Sequence, residues 1–127
     1  MIFLVSAVIP LGGCDVLDDM RTDHESVHVT LFNASGNNVH IITRGEHASP
    51  ANRLAPGQSR SFEMLCIPTS ANTVSISFVA IRNDEQLGGG TMCTVRATDG
   101  IYPDLTVTYT EEVYPEGIYS SLGCGTN

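Results

Sequence analysis

In five runs between Val27 and Ala97, and again from Leu105 to Thr110, apolar side chains recur at every second position. Val27, Val29 and Leu31 alternate with His28, Thr30 and Phe32. Val39, Ile41 and Thr43 alternate with His40 and Ile42, and Phe62, Met64 and Cys66 with Ser61 and Glu63. Val74, Ile76, Phe78 and Ala80 alternate with Ser75, Ser77, Val79 and Ile81; both faces turn apolar near the end of this run, as in a central strand. Cys93, Val95 and Ala97 oppose Thr94 and Arg96, and Leu105, Val107 and Tyr109 oppose Thr106, Thr108 and Thr110. A period of two suits a pleated strand with one face on a core, and no stretch of useful length carries helical spacing.

Turn formers divide the runs. Asn33-Ala34-Ser35-Gly36-Asn37-Asn38 separates the first two, which therefore read as a β-hairpin. Ala55-Pro56-Gly57-Gln58, Asn83 to Gln86, Asp99-Gly100 and Tyr114-Pro115-Glu116-Gly117 mark further turns. Gly88-Gly89-Gly90 reads as a flexible point or a bulge. Ile118 to Cys124 makes a last short strand. About seven strands at this spacing predict an all-β domain over residues 26–127, a single antiparallel β-sandwich of immunoglobulin-like architecture, with a small β-barrel as the alternative. There is no tryptophan to mark the usual immunoglobulin core position.

A hydrophobic fraction of 42% supports a packed core. The formal net charge is −8, and every basic side chain is an arginine. Nucleic-acid binding needs clustered Lys and Arg, so that class is set aside. Five of the acids, Asp15, Asp18, Asp19, Asp23 and Glu25, fall in a stretch whose only basic residue is Arg21. Residues 14–25 read as a solvated acidic tether. Half of the excess negative charge belongs to it, so the total says little about what the domain binds.

Before the tether, Ile2 to Leu11 is almost wholly apolar and too short to span a bilayer as a helix. It fits the apolar region of a secretory signal. The stretch ends Leu11-Gly12-Gly13-Cys14. This resembles the lipobox of bacterial secreted lipoproteins: an aliphatic residue, two small residues, then the cysteine that takes lipid. The resemblance implies a signal over residues 1–13, a lipidated Cys14, a membrane anchor through that lipid, and a place in the cell envelope outside the cytoplasm. No Lys or Arg precedes the apolar run, which leaves a start further upstream, or a buried strand, as alternatives. Asp15 resembles an inner-membrane retention signal, a rule that varies with lineage.

With Cys14 committed to lipid, Cys66, Cys93 and Cys124 allow one bridge and three pairings. The preferred pair is Cys93–Cys124, which would tie down the C-terminal strand, with Cys66 a buried free thiol. There is no Cys-x-x-Cys and no tight Cys/His spacing for zinc.

No ordered catalytic motif is present, and no cofactor motif. The neighbouring acids Glu111 and Glu112 point to opposite faces of a strand, a poor geometry for joint acid–base work. His24, His28, His40 and His47 read as surface imidazoles, with an envelope metal-binding protein as a remote alternative. Asn33-Ala34-Ser35 fits a glycosylation sequon without an evident role. The loop from Arg44 to Arg60 is more informative. It is long for a connection between strands and holds Arg44, His47, Arg53 and Arg60. These four are the candidate binding residues. The expectation is a non-enzymatic binding or protein-interaction module with an envelope protein partner, or else a structural accessory of an envelope complex. A concave pocket where Arg and His converge would favour ligand binding; an evenly apolar open edge strand would favour assembly.

Overall fold

The computed structural model describes residues 14–15, 25–69, 71–82 and 87–126. The expected signal, 1–13, and residues 16–24 of the expected tether lie outside them. The strands are β1 (Cys14–Asp15), β2 (Glu25–Asn33), β3 (Val39–Thr43), β4 (Arg53–Leu54), β5 (Ser59–Cys66), β6 (Thr73–Arg82), β7 (Leu87–Arg96), β8 (Leu105–Tyr114) and β9 (Gly117–Thr126). Apart from the two-residue β1 and β4, these are the strands that the alternation predicts. A 3-10 turn at Pro50–Asn52 precedes β4.

The strands form two sheets, ordered β1-β5-β2-β8-β9 and β4-β3-β6-β7. All strand pairs are antiparallel except β2 with β8. The architecture is a two-sheet all-β sandwich, and the described residues form no closed barrel. The core lies between the sheets. Val27, Val29, Leu31, Met64, Leu105, Val107 and Tyr109 from one sheet meet Val39, Ile41, Val74, Ile76, Phe78, Ala80 and Val95 from the other, all fully or almost fully buried. Each such aliphatic side chain contributes about 1.5–3 kcal/mol relative to an exposed one. That burial is what holds the alternating runs in register.

The expected hairpin between the first two runs does not form. β2 lies in one sheet and β3 in the other. The connector is an arch built on Asn33, which is fully buried. Its Nδ2 donates to Asn37 O at 2.7 Å and to Leu54 O at 2.9 Å, and its Oδ1 accepts from Ser35 N at 2.9 Å and Ser35 Oγ at 2.7 Å. Ala34 N donates to Tyr109 O at 2.9 Å. A turn-forming sequence dictates that the chain bends, but not which sheet receives it. The sequon asparagine is thereby enclosed and fully hydrogen-bonded, so its amide offers no accessible acceptor for a glycan.

Along one side the sheets meet edge to edge, where β7 and β9 approach. The triglycine acts there as a bulge. The β6/β7 register shifts between Val79 and Ile81, and Gly89 has φ +114°. A Cβ on Gly88 would lie 3.0 Å from the Tyr109 ring and hydroxyl, so any larger residue there would push Tyr109 from its place.

Cys93 and Cys124 form the expected bridge, joining β7 to β9 across this seam. The expectation of a free Cys66 thiol is corrected. Cys14 stands opposite Cys66 in the β1/β5 ladder, and the two are disulfide-bonded. All four cysteines are thus paired. A sulfur in a disulfide carries no thioether, so lipid on Cys14 requires the other bonding state of that residue. The tether also begins differently: Cys14–Asp15 adds to the sheet, and β2 starts at Glu25.

Candidate functional site

The Arg44–Arg60 loop folds down onto the outer face of the four-stranded sheet. One amide organises it. Asn52 is buried, and its Oδ1 accepts from Ser49 N at 3.0 Å and from His40 Nδ1 at 2.8 Å. Its Nδ2 donates to His47 O at 2.8 Å. An amide oxygen only accepts, so His40 carries a proton on Nδ1 in this contact. Nε2 is left as the ring's remaining polar atom.

Cross-strand pairing then sets the neighbours. In the ladder His40 of β3 stands opposite Arg53 of β4 on one side and Ile81 of β6 on the other. With Ala48, Ser49, Pro50 and Arg82, these residues line an open cleft of about 250 Å³. No carboxylate among the described residues lines it. Arg53 is exposed and pairs with no acid among the described residues. Arg82 differs: its Nε lies 3.5 Å from Glu111 Oε2, so its charge is largely compensated.

The four candidate residues of the loop separate in the fold. Arg53 enters the cleft. Arg44 and His47 are exposed and do not line it; His47 serves through its carbonyl. Arg60 is a structural brace, donating to Ile41 O at 3.0 Å and Glu46 Oε1 at 2.9 Å and lying 4.9 Å over the Phe62 ring. Conversely, His40 and Arg82 were not singled out as binding residues. The outward position of His40 in its run was readable. Its opposition to Arg53 was not, because that depends on how the intervening loop folds.

Glu111 is a second feature that local reading misjudges. It looks like a charged turn residue, yet its side chain is 4% exposed. It accepts from the Tyr109 hydroxyl and from Asn37 Nδ2, the latter at 2.7 Å, while facing Arg82. Burial, and then the bond to this carboxylate, push the Tyr109 hydroxyl up to about 12. A phenol held protonated in this way is a structural donor. Glu112, as expected, points the other way, to the Tyr114 hydroxyl. On the far sheet Glu63 is held below the usual carboxylate range by the Ser26 hydroxyl and then by His28.

Among the described residues no group of three or more His, Cys, Asp or Glu side chains is placed to hold a metal ion, and no helix is long and apolar enough to cross a membrane. The cleft brings together one free guanidinium, one imidazole and one serine beside apolar walls. Comparison with protein-family models, with curated proteins and with solved structures returns no match.

Proposed function

We propose that this chain is an exported, non-enzymatic binding module of the bacterial cell envelope, which recognises its ligand in the cleft beneath the Arg44–Arg60 loop. The observation that carries this reading is the convergence of His40 and Arg53 with Arg82 in one concavity that no carboxylate of the described residues lines. Two disulfides favour an oxidising compartment outside the cytoplasm. The apolar segment before Cys14 supports export.

Anchoring turns on one sulfur. In the lipid-anchored state Cys14 bears the lipid and Cys66 is a free thiol; in the state described above the two are bonded. Mass spectrometry of the chain extracted from membranes under non-reducing conditions separates them. A lipidated peptide beginning at Cys14 supports the anchor. A Cys14–Cys66 crosslinked peptide with no lipidated form overturns it and leaves export intact. Photocrosslinking from Ser49 and Arg53 in the native envelope tests the binding reading; capture at neither position removes it.

A role in assembly is the second reading. Its support is the far end of the β8–β9 hairpin, where Val113, Tyr114, Ile118 and Tyr119 are exposed. Crosslinks confined to that tip would favour it. The edge of β9 itself is not evenly apolar, since Ser120, Ser121, Gly123 and Gly125 interrupt it.

A further inference from the structure

We infer that the cleft's ligand is a small organic monocarboxylate with an apolar body; the inference rests on the cleft being the binding site. The argument begins with charge. Two guanidiniums line the cleft, but Glu111 faces one of them, Arg82, at 3.5 Å. Arg53 remains, with no acid beside it among the described residues. One uncompensated guanidinium matches one carboxylate, for which its planar fork is suited. A dianion such as phosphate would find its second charge facing a cation already neutralised.

The walls supply the rest of the ligand's character. Ala48, Pro50 and Ile81 are apolar, and Ser49 adds a hydroxyl beside the polar rim. His40 is pinned through Nδ1 by Asn52, so its ring is held as a fixed wall. Asn52 is itself fixed by Ser49 N and His47 O. The cleft is therefore preorganised by bonds that no ligand has to make. At about 250 Å³ it lies just below the roughly 300–1,000 Å³ usual for ligand pockets, which fits a compact organic acid.

The test uses the full chain with both disulfides intact. Backbone amide shifts of Ser49, Arg53, Ile81 and Arg82 are followed by NMR during titration with benzoate, with benzyl alcohol as a neutral match of similar shape, and with inorganic phosphate. Benzoate is expected to shift these amides with a dissociation constant in the roughly millimolar range. Benzyl alcohol and phosphate are expected to bind at least about tenfold more weakly. Arg53→Ala is expected to weaken benzoate by about tenfold or more, Arg53→Lys by less, and Arg44→Ala, outside the cleft, not at all. Equal binding of benzoate and benzyl alcohol, tighter binding of phosphate, or benzoate binding untouched by Arg53→Ala overturns the inference. If no probe shifts these amides, the inference fails, and crosslinking from Ser49 and Arg53 then decides whether the cleft reading fails with it.

Discussion

The Arg44–Arg60 loop and the β8–β9 hairpin are held in opposite ways. The loop has almost no ladder. Its order comes from single side chains that bond backbone atoms: Asn52 to Ser49 and His47, Glu46 Oε1 to Thr43 N at 3.0 Å, and Gln58 Oε1 to Ala55 N at 2.8 Å. The hairpin has an unbroken register from Leu105–Thr126 to Tyr114–Gly117, yet beyond Tyr109 the Glu111 side chain is the one feature of β8 that the body encloses. Near its turn the ladder is backed by an edge-to-face contact of Tyr114 with Tyr119, 5.1 Å between centroids, and by exposed bonds of these two hydroxyls to Glu112 and Glu116. The loop thus presents side chains in fixed positions, as a ligand site requires. The hairpin presents a regular backbone with an apolar tip.

The largest expected effect comes from unstapling the hairpin's base. Cys93→Ser with Cys124→Ser opens a loop of sequence separation 31 and should cost about 3–4 kcal/mol in denaturant unfolding. A loss under about 1 kcal/mol would show that the ladder, and not the seam, holds β9. Asn33→Ala comes next. It removes the side-chain donor to Leu54 O and the acceptor of Ser35 N in a buried arch, while Asn37 O keeps the Ser35 hydroxyl; the expected loss is about 2–4 kcal/mol.

Asn52→Ala should cost less, about 1–3 kcal/mol, because part of the loop reaches solvent. It should also broaden the amide signals of residues 47–53 while leaving those of the hairpin sharp. Broadening in both regions would mean that they are not held separately.

Tyr109 offers a pH test of the junction between hairpin and core. Its hydroxyl titrates near 12 when folded against about 10 when unfolded. Its contribution to stability is therefore complete below pH 10 and disappears as pH rises from 10 towards 12. Tyr109→Phe should remove that part of the alkaline slope, measured by denaturation at stepped pH. The smallest effect belongs to the tip: Val113→Thr or Ile118→Thr should stay within about 0.5 kcal/mol. A larger loss would show that the tip packs against the body.

Much of this was legible from the chain. The inward residues of β2, β5, β6, β7 and β8 follow from alternation, since a strand puts every second side chain on one face. The Cys93–Cys124 bridge was favoured because Cys93 sits on such a face and Cys124 near a terminus. Arg53 was found through the length of its loop. What escaped shares one cause. The β2–β3 crossover, the Cys14–Cys66 bond and the His40–Arg53 pairing each depend on a contact between residues distant in the chain. Asn33 holds the arch through Leu54, β5 receives β1, and Asn52 draws the loop onto His40.

The sequence by itself determined the two-residue period, the inward set of each strand and the places where the chain turns, because these obey local steric rules. Only the tertiary structure decided which sheet each strand joins, which partner each cysteine takes and which charges remain uncompensated. Those depend on distances between residues far apart in the chain, and burial of the shared core sets those distances. Among the described residues Arg53 faces no acid and Arg82 does, because the fold places Glu111 beside one of them alone.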